Sequence, residues 1–106
     1  MPYEVRLERT FIKRMNNLSS LLKIRQEDVI AVREAIIDCI EALSIGEALP
    51  EYCNDHRLTG EPWAGYREFH VLDDVLVVYY RIEAKNRLRF VTVTTHEELA
   101  KGKLPQ

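Results

Sequence analysis

Residues 66–94 read YREFHVLDDVLVVYYRIEAKNRLRFVTVT, and this stretch decides the fold. It holds three runs rich in β-branched and aromatic residues, Tyr66–Leu72, Val75–Glu83 and Leu88–Thr94. Each has the length and composition of a strand. Between them stand Asp73-Asp74 and Ala84-Lys85-Asn86, which are turn-forming residues. Connections this short join antiparallel neighbours.

Upstream, Ala48 to Gly65 carries Pro50, Asn54, Gly60, Pro62 and Gly65, and reads as loop with room for one short strand. Before it, Val29, Val32, Ile36, Ile40 and Leu43 recur at helical spacing, widened by Ile37. That helix begins near Gln26–Asp28, where acidic side chains suit the positive end of the dipole, and stops at Gly46. Phe11, Met15, Leu18 and Leu22, with Ile12 and Leu21, mark an earlier helix over residues 10–23, with Thr10 as its N-cap. Tyr3, Val5 and Leu7 alternate as a short strand. Downstream, His96–Ala100 makes one helical turn and residues 101–106 form a frayed tail.

The expectation is one α+β domain over residues 1–106, ordered β-α-α-β-β-β. Two N-terminal helices pack on one face of a mainly antiparallel sheet, and the other face is left free. Period two then sorts the side chains. Phe69 and Val71 face the helices, which puts Glu68 and His70 on the free face. Leu76, Val78, Tyr80 and Ile82 read as the core set of the next strand, with Val75, Val77, Tyr79 and Arg81 outward.

Composition narrows the function. No run of about 18 apolar residues exists, so no membrane span is expected. The start, Met-Pro-Tyr-Glu-Val-Arg, lacks the apolar stretch of a signal peptide. Cys39 and Cys53 lie in no metal-binding spacing and read as reduced cytosolic thiols. Net charge is −2, which gives no overall pull toward nucleic acid. The first 55 residues carry seven basic and ten acidic side chains, the rest eight and seven, so positive charge sits with the strands.

The histidines are His56, His70 and His96, and none lies in a helix stripe. In an antiparallel meander these points can converge on one surface. Asp74 follows His70 by four residues, and Arg67, Arg81 and Arg89 are near in sequence. Such a set suits phosphodiester cleavage in RNA. The ribose 2′-hydroxyl must lose a proton, the leaving 5′-oxygen must gain one, and the phosphorane charge must be stabilised. Histidine, with an ordinary pKa of about 6.5, is the natural proton carrier. Arginine suits the charge through its fixed fork of donors. No metal or other cofactor is needed, and the histidine spacings match no local zinc motif. The plainer readings are a half-exposed strand filler for His70, a turn cap beside Asp55 for His56 and a helix cap for His96.

The run Asp55-His56-Arg57-Leu58-Thr59-Gly60, then Trp63-Ala64-Gly65-Tyr66-Arg67-Glu68-Phe69-His70-Val71, resembles the D-H-x-L-x-G…W-x-G-Y-R-[DE]-x-H-[VI] signature of YafQ-type toxins of the RelE/ParE superfamily. Asp74, Tyr79, Leu88-Arg89-Phe90 and Thr95-His96-Glu97-Glu98-Leu99 continue the pattern. The resemblance implies the RelE/ParE fold and a cytoplasmic, metal-independent endoribonuclease. It implies cleavage of messenger RNA on the ribosome by 2′-hydroxyl attack, and neutralisation by a small cognate antitoxin. Operator DNA would be met only through that antitoxin. His56, His70, Asp74 and His96 fall on the family's active-site positions, with His70 and His96 as the acid–base pair in either direction. Asp74 and His56 would orient a histidine or the nucleotides. Arg67, Arg81 and Arg89, through their nearness in sequence and their fork of donors, are the candidate substrate contacts.

Departures exist. Val75 and Ala100 stand where relatives carry aromatics, and Tyr79-Tyr80 displaces Arg81 by one position, toward the opposite sheet face. The alternative is a non-enzymatic, ParE-like gyrase poison, or a catalytically weakened toxin acting as an antitoxin-binding co-repressor.

Overall fold

The structure, a computed structural model, describes residues 2–72 and 74–100. The tail expected at 101–106 lies outside them. In chain order the elements are β1 (Glu4–Leu7), α1 (Arg9–Met15), α2 (Leu18–Leu21), α3 (Gln26–Ser44), β2 (His56–Arg57), β3 (Arg67–Val71), β4 (Val75–Ile82), β5 (Arg87–Thr94) and α4 (His96–Ala100). The strands form one sheet in the order β1-β5-β4-β3-β2. β1 runs parallel to β5, and the other pairings are antiparallel. This is the expected α+β layout, with the short strand of the long loop realised as β2. No helix among the described residues is long and apolar enough to cross a membrane.

The helix expected over 10–23 is two helices. Asn17 leaves helical geometry at φ −137°, and its side-chain amide donates to the Lys13 carbonyl at 2.8 Å. Asparagine offers the backbone a local alternative to the helical ladder, and the chain turns there. Thr10 lies inside α1 rather than capping it, with Glu8 at the N-cap. α3 starts and stops as its sequence directs. Glu27 and Asp28 occupy its first turn. Gly46 takes φ 85°, the left-handed conformation that lets the Gly46 and Glu47 amides reach back to Leu43 and Ala42.

Phe11, Leu18, Val32, Ile36 and Leu43 from the helices pack on Phe69, Val71, Val75, Val77, Tyr79, Leu88, Phe90 and Val93 of the sheet. The expected facing of β4 is therefore reversed. Val75, Val77 and Tyr79 pair with Val71, Phe69 and Arg67 of β3 and share their helix-side face. Leu76, Val78 and Tyr80 point the other way. Residues 75–80 are apolar or aromatic without a break, so alternation carries no signal there and pairing with β3 decides.

Between β4 and β5 the register slips. Val78 pairs with Thr92 but Tyr79 with Phe90, which leaves Val91 as a bulge residue. The bulge lets Leu88 and Phe90 on one side of it, and Val93 on the other, all reach the helix-side core. The face away from the helices is not open at its centre either: Leu76, Val78, Thr92 and Thr94 are all fully buried. The histidines stand at its margin.

Candidate active site

His70 sits on β3 opposite Leu76, which in turn pairs with Thr94 at the end of β5. His96 opens α4 two residues beyond Thr94, and Asp74 occupies the turn between β3 and β4. The three side chains form a file. Asp74 Oδ1 accepts from the His96 ring Nδ1 at 2.6 Å and from the His96 backbone N–H at 3.1 Å. His96 Nε2 stands 2.8 Å from His70 Nε2, with ring centroids 4.8 Å apart.

The proton count follows from the chemistry of the atoms. A carboxylate only accepts, so His96 carries hydrogen on Nδ1. Two Nε2 atoms at hydrogen-bond distance need one proton between them, so one imidazole donates and the other accepts. The remaining nitrogen, His70 Nδ1, is buried and has no partner. Partial burial pushes the Asp74 carboxyl up, but the His96 ring and backbone N–H groups outweigh it and hold the carboxyl below its ordinary range.

α4 is short, and its position depends on a clasp from the other end of the chain. Arg14 of α1 lies on the buried stripe between Phe11 and Leu18. Its Nη1 donates to the Val93 carbonyl at 3.2 Å, and its fork grips both carboxylate oxygens of Glu98 at 2.7 and 3.1 Å. Thr94 Oγ1 donates to the same carboxylate at 3.0 Å. These bonds fix the turn that carries His96.

His56 pairs with Glu68 across β2 and β3, which places both on the His70 face, one side-chain step along β3. Its Nδ1 donates to the Asn54 carbonyl at 2.6 Å. Asn54 adopts φ 47°, a left-handed conformation asparagine tolerates, and this aims the carbonyl inward. His56 Nε2 lies 3.3 Å from Glu68 Oε1. Glu68 is buried, and its second oxygen has no partner. Sequence reasoning placed Glu68 beside His70 but gave it no role.

The three arginines are not brought to the histidines. Arg67 lies on the helix-side face, where its Nε donates to Tyr79 Oη at 3.2 Å beside Asp55. Arg81 shares that face; it stacks over the Tyr3 ring at 5.0 Å and reaches Glu83 at 3.4 Å. Arg89 points to the histidine side but is held by Glu8 at 3.1 Å. Arg57, Arg67 and Arg81 line a small recess of about 120 Å³ on the far face. Arg14 and Glu98 escaped the sequence reading, although an arginine on an apolar helix stripe was the signal. Among the described residues no three His, Cys, Asp or Glu side chains gather as a metal-ligand set.

Several solved structures share this architecture. A copper-bound mutant toxin from Helicobacter pylori is 28% identical with a TM-score of 0.69, matched over 93% of this chain and 99% of that one. YafQ from Escherichia coli is 22% identical with a TM-score of 0.64, over 92% and 97% of the two chains. The toxin–antitoxin complex DinJ-YafQ of Escherichia coli gives 23% identity and a TM-score of 0.60, over 93% and 98%. The last two establish likeness of fold. No curated protein sequence matches the chain. Residues 3–101 match the family described as the YafQ bacterial toxin of type II toxin–antitoxin systems. With that match across nearly the whole length, on the fold its relatives share, the chain belongs to the YafQ family of type II toxins.

Proposed function

We propose that the protein is an endoribonuclease toxin that cuts messenger RNA on the ribosome, acting in the cytoplasm and restrained by a small cognate antitoxin. The observation that carries this reading is the file Asp74–His96–His70, a carboxylate and two imidazoles linked through hydrogen-bond contacts of 2.6 and 2.8 Å. Two imidazoles, one neutral and one carrying protons on both nitrogens, are the minimum equipment for concerted proton removal and delivery. One takes the proton from the ribose 2′-hydroxyl, and the other gives a proton to the departing 5′-oxygen. The product is a 2′,3′-cyclic phosphate and a free 5′-hydroxyl. Each positioned acid or base contributes about 10²–10⁴ in rate.

On this reading the ribose-phosphate linkage displaces the direct contact between the two Nε2 atoms. Asp74 keeps His96 in one tautomer and steadies the ring when it gains a second proton. His56 is a positioning group, fixed by the Asn54 carbonyl and Glu68 beside the linkage. Arg67, Arg81 and Arg89, engaged elsewhere in the free protein, are assigned to flanking phosphates rather than to the reacting one. Two solved relatives, DinJ-YafQ of Escherichia coli and RelBE2 of Mycobacterium tuberculosis, are toxin–antitoxin complexes, which supports an antitoxin partner here. Any contact with operator DNA would run through that partner.

The test is 5′-end mapping of messenger RNA after induction, beside a His96→Ala control. New 5′-hydroxyl ends that vanish in the control are expected. Intact messenger RNA with damaged DNA would replace this reading with gyrase poisoning.

A further inference from the structure

Past Glu68, β3 has no partner strand on its outer side, because β2 pairs only with Arg67 and Glu68. A groove of about 370 Å³ lies there, between α3, the short 3-10 turn Glu51–Cys53 and the end of β3. Its apolar surface comes from Ala35, Ala42, Leu49, Val71 and Leu72. The buried thiols of Cys39 and Cys53 also line it. Burial, then the adjacent Cys53 thiol, push the Cys39 thiol up to about 12, so this part of the wall carries no charge at neutral pH. His70 belongs both to this wall and to the histidine file.

Two lining side chains are available to a ligand. Tyr52 is 84% exposed and is the one aromatic among the exposed large hydrophobic side chains of the described residues. Asp38 is exposed and, among the described residues, is the only Asp, Glu, Lys or Arg of the lining. No lysine or arginine borders the groove, so it does not suit a phosphate. A flat apolar ring with hydrogen-bond donors on one edge fits instead.

We propose that this groove is a nucleobase subsite, in which Tyr52 stacks on the base next to the linkage held at His70 and Asp38 accepts hydrogen bonds from the amino edge of that base. The proposal rests on the RNA-cleaving reading above and extends it to substrate choice. An ionised carboxylate only accepts. Guanine offers it two adjacent N–H donors, and adenine and cytosine each offer an amino group. Uracil has one N–H flanked by two carbonyl oxygens, which a carboxylate repels. The subsite therefore prefers guanine and disfavours uracil. Tyr52 is the aromatic ring in the groove lining, and its exposure makes it the stacking surface there.

The experiment is a nuclear magnetic resonance titration of the full chain, observing the Tyr52 ring and the Leu49 and Leu72 methyls. The probes are guanosine 5′-monophosphate, uridine 5′-monophosphate and ribose 5-phosphate. The guanine nucleotide is expected to move all three sets of signals, the uridine nucleotide to bind several-fold more weakly, and ribose 5-phosphate to leave them still. Tyr52→Ala, an exposed change that spares the core, is expected to weaken guanine nucleotide binding about tenfold. Asp38→Asn is expected to abolish the preference over uridine. Shifts confined to His70 and His96, groove signals that answer an antitoxin but no nucleotide, or an unchanged affinity in Tyr52→Ala each overturn the proposal. The readout is binding, so a negative 5′-end map and a silent groove are separate results.

Discussion

Two polar networks made from similar side chains lie on opposite faces of β3, and they are finished to different degrees. On the helix side, Tyr79 Oη donates to Asp55 Oδ1 at 2.7 Å and accepts from Arg67 Nε at 3.2 Å. Tyr79 is fully buried; burial first, then the Asp55 carboxylate, push its phenol well above the ordinary range. Acid, phenol and base satisfy one another, and the phenol at their centre has no capacity left over. On the other side, His70 keeps a buried ring nitrogen without a partner, and the His96 and Asp74 side chains are 53% and 59% exposed. A closed network of this kind supports the fold, whereas an incomplete one at the surface retains capacity for chemistry.

The sharpest way to break this contrast is His96→Ala. It is expected to lower cleavage by about 10²–10⁴ in the end-mapping assay. Stability should stay within about 1 kcal/mol of the parent, because the ring is exposed. A comparable loss of stability would place the file with the structural network. Next in size, Arg14→Ala removes the guanidinium that grips Glu98 and the Val93 carbonyl and empties a buried position, at a cost of about 3 kcal/mol in urea unfolding. Cleavage should fall as well, because α4 loses its clasp.

Tyr79→Phe probes the closed network. It strands Asp55 and Arg67 without their shared hydroxyl and is expected to cost about 1–2 kcal/mol, with a far smaller loss of cleavage than His96→Ala. The smallest effect is the acid limb. The Asp74 carboxyl is held below its ordinary range in the folded protein, so the unfolded chain binds the proton first as pH falls. The resulting stabilisation is full above the unfolded value of about 3.9 and is lost as pH drops through the lower folded value. For a group this exposed it amounts to less than about 1 kcal/mol, read as the difference between the parent and Asp74→Asn across that range.

Much of this was legible beforehand, for stated physical reasons. α3 announced both ends, with Glu27 and Asp28 at its start and Gly46 after its close. The β3 and β4 runs were separated by turn residues, and period two correctly put Glu68 with His70 because β3 alternates. β4 does not alternate, so its facing was undetermined locally and came out reversed. The helix break needed the Asn17 side chain to compete with the backbone, which a stripe of apolar residues conceals. The meeting of His70 with His96 is long-range and came through the family pattern rather than spacing. Nearness in sequence named arginines that are engaged elsewhere, since a position in sequence does not say which carboxylate a guanidinium will find.

The clasp that stations α4 joins residues 84 positions apart. Protein synthesis runs from the N-terminus, so Arg14 exists long before the carboxylate it grips. A nascent chain that stops short of Glu98 can make α3 and pair its strands, yet the Arg14 clasp has no carboxylate to grip. Assembly of the histidine file is therefore among the closing events of manufacture. Copies that end before residue 96 lack one of the file's two imidazoles by chain order alone.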